Sequence, residues 1–428
     1  MSGFAYRNGR LHADDVDLTE IAAVVGTPTY VYSASVLEQR YRAYTKAGDG
    51  QTLGVYFSLK ANNNLAIVSF LNSLGAGADI VSVGEMKRAL AAGIPAAKII
   101  FSGIGKTRDE LSAAVEAGVG QINVESTPEL FALDAAARAA GRKQRITLRI
   151  NPDVDAQTHE KISTGKRGDK FGIAYDEAPA AYRQAVELPG LDVAGFSLHI
   201  GSHLSDLTPY RIAYGKMAAL IRTVREVGLA VETLDLGGGI GVTYKDEIAP
   251  SLDDYMRIVL ETVGNLGCSL AVEPGRSIVG PAGILLSRVT YRKASRPNDI
   301  LILDAGMNDL VRPAMYDAYH PITPVTQPAA GMALSPVDVV GPICETGDTF
   351  ARERLLPTIA AEDLVAFGVA GAYGSSMASN YNARPLPAEV MVHGGRFDII
   401  RPRQLIEATY ADERVPDWIA GQGKSSIA

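Results

Sequence analysis

From about residue 35 to Gly280, short apolar stretches alternate with amphipathic stretches rich in Ala, Leu, Glu and Arg. The apolar ones are GVYFSLK (54–60), GADIVSV (77–83), KIIFSG (98–103), QINVES (121–126), RITLRINP (145–152), VAGFSLHIGS (193–202), ETLDLGGG (232–239) and SLAVEPGR (269–276). Their length and their β-branched and aromatic content predict buried strands. Between them the pattern predicts helices such as Ser82–Ala92, Thr107–Ala117 and Pro128–Ala140. Eight strands alternating with helices over about 240 residues match a parallel (β/α)8 barrel in number and length. An open, doubly wound sheet satisfies the same periodicity, which does not show whether a sheet closes.

Beyond Gly280 the helical stretches thin out. GILLSRVTYRK, DILILDAG, VDVVGPI, DLVAFGV and EVMVHGGRFDIIRP predict antiparallel strands separated by turns, hence a second, all-β domain of sandwich or Greek-key type. Ahead of the barrel come a polar turn at Arg7–Arg10, a helix at Asp17–Val25 and a strand at 29–32 that the second domain can adopt. The expected division is therefore 1–34 packed with the β-domain, 35–280 as the barrel and 281–428 as the β-domain. His159–Lys170 is polar, contains glycine and is longer than the neighbouring connections, which predicts a mobile loop over the barrel mouth.

Composition narrows the classes. With 41 basic against 48 acidic residues the net charge is −7, which disfavours a nucleic-acid or anionic-membrane binder. No stretch of eighteen apolar residues predicts a membrane span, and the N-terminal residues carry no apolar core of a secretory signal. Two cysteines, Cys268 and Cys344, fit a reducing cytoplasm rather than a disulfide framework. Three motif fragments are set aside. Ile104-Gly105-Lys106-Thr107 lacks the P-loop glycine, since position 100 is Ile100. Gly237–Gly241 lacks the third glycine of a dinucleotide fingerprint, which would fall on Val242. His199 and His203 flank Gly201-Ser202 with no acidic or cysteine partner nearby, so no metal site is expected.

A barrel gathers its chemistry at the C-terminal ends of the strands. Those ends carry Lys60, Asp79, Arg149, His199 with Ser202, Gly237–Gly239, and Glu273 with Arg276. Each has an ordinary explanation alone: a lysine reaching past a strand end, a helix-capping aspartate, a core histidine, a tight turn, a structural ion pair. Together they form a set. A glycine run offers backbone N–H groups as a phosphate cradle beside a helix start, lysine attaches to an aldehyde, and histidine stacks on a flat ring. A carboxylate keeps a pyridine nitrogen protonated, and the combination describes pyridoxal phosphate.

The same residues carry a resemblance. FSLKAN, DIVSVGE, RINP, KFGI (170–173), HIGSH, DLGGGIG, EPGR, MNDLVRPAMYDAYH, GPICETGD and GAYG occur in order from Tyr30 to Arg384. In them the chain resembles the pyridoxal-phosphate-dependent decarboxylases with an alanine-racemase-like barrel, closest to those acting on diaminopimelate. The resemblance implies a homodimer with shared active sites and the decarboxylation of meso-2,6-diaminopimelate to L-lysine. It implies that Lys60 binds the cofactor covalently, His199 stacks on its ring and Glu273 meets its ring nitrogen. Ser202, Gly239, Pro274, Gly275, Arg276 and Tyr373 would hold the cofactor's remaining contacts, chiefly the phosphate, with Asp79 nearby. Arg276, Arg312, Tyr316 and Tyr373 would hold the substrate, its carboxylate above all. Glu345 would meet a substrate ammonium and Cys344 would donate the proton, both entering from the partner subunit.

Decarboxylases of ornithine, arginine or carboxynorspermidine share that fold, but Arg312…Tyr316 with Cys-Glu-x-Gly-Asp ranks them second. A racemase on this barrel would need acids or bases on both faces of the substrate. A catalytically inactive regulatory homologue is disfavoured by the intact Lys60, Glu273 and Cys344.

Overall fold

The structure is a computed structural model, and it describes residues 3–48, 50, 52–156, 164–166 and 168–420. Eight parallel strands form the first sheet: Leu53–Ser58, Gly77–Ile80, Ile99–Phe101, Gln121–Val124, Gln144–Asn151, Leu191–Ser197, Thr233–Asp235 and Ser269–Val272. Each pairs with the next, and Ser269–Val272 returns to Leu53–Ser58 through Leu270 opposite Leu53, so the sheet closes. Closure decides for the barrel over the open sheet. A two-residue strand, Ile173–Ala174, adds to the side of Gln144–Asn151.

The apolar stretches find all eight strands but overrun most of their C-terminal ends by two to four residues. Those extra residues leave the ladder to become the rim. Helices follow where the pattern puts them, at Val83–Ala91, Arg108–Ala117 and Thr127–Ala139. The second begins with a capping box in which Thr107 and Glu110 satisfy each other's backbone N–H groups. Helices Thr208–Glu226 and Leu252–Thr262 lock together through Tyr210, Tyr214 and Tyr255, whose rings pack edge-on or tilted and whose Tyr214 and Tyr255 hydroxyls lie 2.8 Å apart. Among the described residues no helix is long and apolar enough to cross a membrane.

The second sheet has nine strands and includes Thr29–Ser33, every residue of it buried. It is not wholly antiparallel, as expected from the run of strands. Thr29–Ser33 lies parallel to Ala388–His393, and Asp299–Leu303 lies parallel to Ser335–Val340. The reason is connectivity: both pairs are far apart in sequence and joined by crossovers rather than hairpins. The polar turn at Arg7–Arg10 is the tip of a real hairpin, Phe4–Arg7 with Arg10–Ala13. Asn8 and Gly9 both take positive φ (49° and 76°), the pairing that a two-residue loop between twisted strands demands.

The two sheets meet at the loop after Leu53–Ser58. Glu389 on the second sheet is fully buried and accepts from Tyr32 Oη at 2.6 Å, Ser375 Oγ at 2.8 Å and Asn64 Nδ2 at 2.8 Å. Asn62 Nδ2 donates to Gly371 O at 3.1 Å, and Tyr373 N–H donates to Ala61 O at 2.8 Å. The asparagines after Lys60 thus seat the barrel rim on the second sheet.

Candidate active site

The rim encloses a cavity of about 510 Å3 lined by Lys60, Arg149, His199, Ser202, Gly239, Glu273, Gly275, Arg276 and Tyr373. Residues scattered over more than two hundred positions therefore share one mouth. A second cavity of about 350 Å3 shares Ser202, Arg276 and Tyr373 with the first and adds His203, Tyr244, Glu247, Arg312, Tyr316 and Tyr319.

Lys60 stands in a single 3-10 turn, Leu59–Ala61, directly after its strand. Its Nζ lies 3.4 Å from Asp79 Oδ2, which also accepts from Ser58 Oγ at 2.6 Å. Asp79 does not cap the next helix; Ser82 does. Loss of water would lower the Lys60 pKa, but Asp79, then Tyr373 and Glu273, outweigh it and raise it above the ordinary lysine range. The other Asp79 oxygen is buried without a partner.

Glu273 and Asp235 are buried side by side and hydrogen-bonded to each other. Asn123 Nδ2 donates to Asp235 Oδ2 at 3.0 Å and to Glu273 Oε1 at 3.4 Å. Burial first, then Asp235 and Asp79, push the Glu273 carboxyl well above the usual range, so it holds a proton. The alternative of a Glu273–Arg276 ion pair does not occur, since Arg276 turns to Tyr244 Oη at 2.8 Å and Ser202 Oγ at 3.3 Å.

Gly238 N–H donates to His199 Nδ1 at 3.2 Å, so the neutral ring carries its proton on Nε2. Burial, with Lys60 and Arg149 nearby, lowers its pKa well below the ordinary histidine value, and the ring stays neutral.

The glycine run differs from expectation in two ways. Its first two amides are already used, Gly237 N–H on Asp235 Oδ1 at 3.0 Å and Gly238 N–H on His199. The helix that follows it along the chain begins only at Leu252; the helix start on its cavity is that of the short Arg276–Val279, capped by Gly275. What remains is Gly239, at φ 107°, where a Cβ would sit 2.2 Å from Gly201 O and 2.9 Å from the Tyr210 hydroxyl. Only glycine fits there, and the backbone reaches the cavity wall uncovered.

Arg149 is 2.6 Å from Glu125 and its guanidinium lies 4.8 Å from the Phe171 ring centre. Glu125 also accepts from Gly103 N–H and Gly172 N–H, both at 3.0 Å. Arg149 is thus part of a buried structural pair that anchors the KFGI segment. Of the 159–170 loop expected over the mouth, residues 159–163 and 167 lie outside the described residues. Thr164 lines the cavity and donates to His199 O at 2.8 Å.

Pro274 is buried between Glu273 and Gly275. Arg312 and Tyr316 begin and end the short helix Arg312–Tyr316 on the second cavity. Cys344 and Glu345 are exposed in a turn and line neither cavity of their own protomer. Cys344 N–H donates to Asn382 Oδ1 at 2.9 Å and Glu345 accepts from the Tyr381 hydroxyl.

Sequence reasoning missed Ser58, Ser102, Asn123, Asp235 and Tyr244. Asp235 and Asn123 sit inside strands and were legible only as polar residues in apolar stretches, a signal a buried strand rarely tolerates without function or partner.

Glu85, beside this group, accepts Val81 N–H at 2.8 Å, and burial above all lifts its carboxyl from 4.5 to about 7. A carboxyl with a raised folded pKa favours folding fully below pH 4.5, and that contribution is lost as pH rises through 7. Glu85→Gln is therefore expected to flatten the decline of thermal stability between pH 5 and 8, by on the order of 2–3 kcal/mol. Parallel melting curves for both proteins across that range would refute it.

The residues fit a phosphorylated pyridine aldehyde: an amine, a protonated buried carboxyl, a neutral flat ring, a Cβ-free backbone wall and a guanidinium, all on one cavity. Comparison with known proteins agrees. The family described as "Pyridoxal-dependent decarboxylase, pyridoxal binding domain" matches residues 34–280. This chain belongs to the pyridoxal-phosphate-dependent decarboxylases of the fold type III barrel and, within them, to the diaminopimelate decarboxylase family of lysine biosynthesis.

The chain is 47% identical over 424 residues to the diaminopimelate decarboxylase of Zymomonas mobilis, covering 98% of this chain and all of that one. It is 48% identical to that of Pseudomonas aeruginosa over 413 residues, 96% of this chain and 99% of the relative. The solved diaminopimelate decarboxylase of M. jannaschii in complex with L-lysine superposes at a TM-score of 0.93 with 36% identity, covering 98% of this chain and all of that one. That of Helicobacter pylori, also with L-lysine, gives 0.89 with 39% identity over 92% of this chain and 98% of the other.

Proposed function

We propose that the chain decarboxylates meso-2,6-diaminopimelate to L-lysine, and that the roles of its residues follow from the two joined cavities. The observation that carries this reading is their adjacency: a lysine–carboxyl cavity shares the wall of Ser202, Arg276 and Tyr373 with one lined by two buried guanidiniums. A substrate with one reacting and one retained amino-acid end spans such a pair.

Bound pyridoxal phosphate supplies an electron sink for the pair of electrons released with carbon dioxide. Lys60 would be the attachment point, and Asp79, 3.4 Å away, holds and orients its nitrogen. Glu273, backed by Asp235 and Asn123, would pass the proton it holds to the ring nitrogen and, as the resulting carboxylate, keep that nitrogen cationic. His199, neutral and oriented by Gly238 N–H, forms the flat wall. Gly239, Ser202, the Pro274-Gly275-Arg276 backbone and Tyr373 would receive the phosphate. Arg276, Arg312 and Tyr316 grip the distal carboxylate, a task suited to the fork geometry of guanidinium.

Cys344 donates the proton and Glu345 meets the distal ammonium, both across the interface of a homodimer. Their exposure in a turn away from their own cavity supports this assignment. The three-part division at residues 34 and 280 is proposed with it, supported by the family match to 34–280 and by Thr29–Ser33 lying in the second sheet. A cytoplasmic location fits a chain whose two cysteines are both free.

Supplying purified protein with pyridoxal phosphate and meso-diaminopimelate and assaying for lysine tests the reading; no lysine would end it. Arg312→Ala is expected to raise KM for diaminopimelate by about 10-fold to 100-fold, the range of a lost charged hydrogen bond at a buried site. A KM unchanged in steady-state assays would remove Arg312 from the substrate.

A further inference from the structure

The two arginines of the second cavity are only 8% and 6% exposed, Arg276 and Arg312 respectively. Two guanidiniums at close quarters repel, and more so where water is scarce. A buried cation ordinarily takes a carboxylate partner. Here the partners are neutral. Arg276 donates to Tyr244 Oη and Ser202 Oγ and lies 4.7 Å from the Tyr373 ring centre. Arg312 Nη1 meets His320 Nε2 at 2.8 Å and lies 4.7 Å from the Tyr244 ring centre.

An arginine only donates, so His320 Nε2 is the acceptor. The other ring nitrogen, Nδ1, lies 2.9 Å from Gly368 O, and a carbonyl only accepts, so Nδ1 carries the proton. The tautomer is thereby fixed by the second sheet. Burial, with Arg312 beside it, holds His320 neutral down to about 3.

Tyr244 is shared by both arginines, one on its hydroxyl and one on its face. Its ring is held edge-on by His203 and by His320, with centroids 5.3 Å away in each case. Its backbone N–H is tied to Glu247 Oε1 at 2.7 Å. Neutral groups thus orient both cations, and Glu247, the carboxylate on this cavity, is engaged by the Tyr244 and Lys245 N–H groups and lies 3.9 Å from His203, so the charge of the arginines is left for an anion in the cavity.

We infer that Tyr244 and His320 are positioning residues that aim Arg276 and Arg312 at a single carboxylate, and so set selectivity for a substrate with a carboxylate at its non-reacting end. The inference rests on the reading of these arginines as the carboxylate grip. Tyr244 and His320 act through the arginines and take no part in bond breaking.

The test uses the pyridoxal-phosphate-loaded enzyme with two ligands, L-lysine and 1,5-diaminopentane, which differ by the carboxylate. His320→Gln keeps an acceptor within reach of Arg312; His320→Asn keeps the donor to Gly368 O and loses that acceptor. With His320→Asn, calorimetric Kd for L-lysine and KM for diaminopimelate are expected to rise about tenfold, the loss of one charge-assisted hydrogen bond, while kcat falls less than threefold. His320→Gln is expected to recover most of that loss. Binding of 1,5-diaminopentane is expected not to move in either variant. Tyr244→Phe, which removes only a hydroxyl, carries the same test should His320→Asn not fold; its expected rise is about threefold to tenfold.

If Arg312→Ala binds L-lysine as the parent does, the grip reading fails first. If Arg312→Ala weakens lysine while Tyr244→Phe and the two His320 variants bind it as the parent does, the grip stands and the positioning inference is overturned. Equal weakening of both ligands also overturns it, because that is a general structural effect.

Discussion

Lys60→Ala is expected to abolish turnover of diaminopimelate, by roughly 10⁴-fold or more, which corresponds to about 5 kcal/mol of barrier. It is also expected to erase the visible absorbance of lysine-attached pyridoxal. Two features of the site make the effect this large. Lys60 is the one lysine on the main cavity among the described residues, so no second amine can substitute. Its removal also strands Asp79, which has one oxygen already without a partner and would lose the ammonium that balances the other. A stability cost is therefore expected beside the kinetic one. A Lys60→Ala protein that kept both the absorbance and the turnover would remove the residue from the chemistry.

Cys344→Ala is expected to lower kcat by about 10²–10⁴-fold, the usual worth of a positioned proton donor. The more telling result comes from mixing it with Lys60→Ala. In a two-fold dimer with shared sites, one site of each hybrid pairs the intact Lys60 of one protomer with the intact Cys344 of the other. At equal mixing, half the dimers are hybrids with one working site of two, so about a quarter of parental activity returns. Neither parent variant shows that activity alone. Mixtures that stay at the level of the single variants, after exchange is verified by mass or by a tag, would refute the shared site.

The structural basis of both expectations is the seam between the two sheets. Asn62 and Asn64 fasten the Lys60 turn to Gly371 and Glu389, and Tyr373 returns the contact through Ala61 O. The Lys60 amine is set by the barrel strand and by the second sheet together. The same seam carries Arg312 and His320, both on the segment between second-sheet strands. The Lys60 turn and the Arg312–Tyr316 helix are therefore fixed relative to each other by one packed boundary.

Much of this was legible in the amino-acid order because strands buried on both faces must be continuously apolar. Lys60, Asp79, Arg149, Glu273 and Arg276 stood out as charges at the ends of such runs. Local pattern also marked Gly239, since no side chain is tolerated where backbone meets backbone. The fate of hydrogen bonds was not legible. Reading Gly237–Gly239 as three free amides overlooked that Asp235 and His199 claim two of them. Asp235 and Asn123 lie 112 positions apart and become partners only when the barrel closes.

The chain's own order of residues determined the (β/α)8 rhythm, the break at Gly280 and the rim that carries the chemistry, because periodicity and burial are local properties. The tertiary structure alone decided that the sheet closes, that Thr29–Ser33 lies between Gly283–Lys293 and Ala388–His393 in the second sheet, and that Tyr244 and His320 stand beside two arginines without a carboxylate partner. Those outcomes depend on which distant groups share a dry volume, and contact across space, not neighbourhood along the chain, sets the energy of a buried charge.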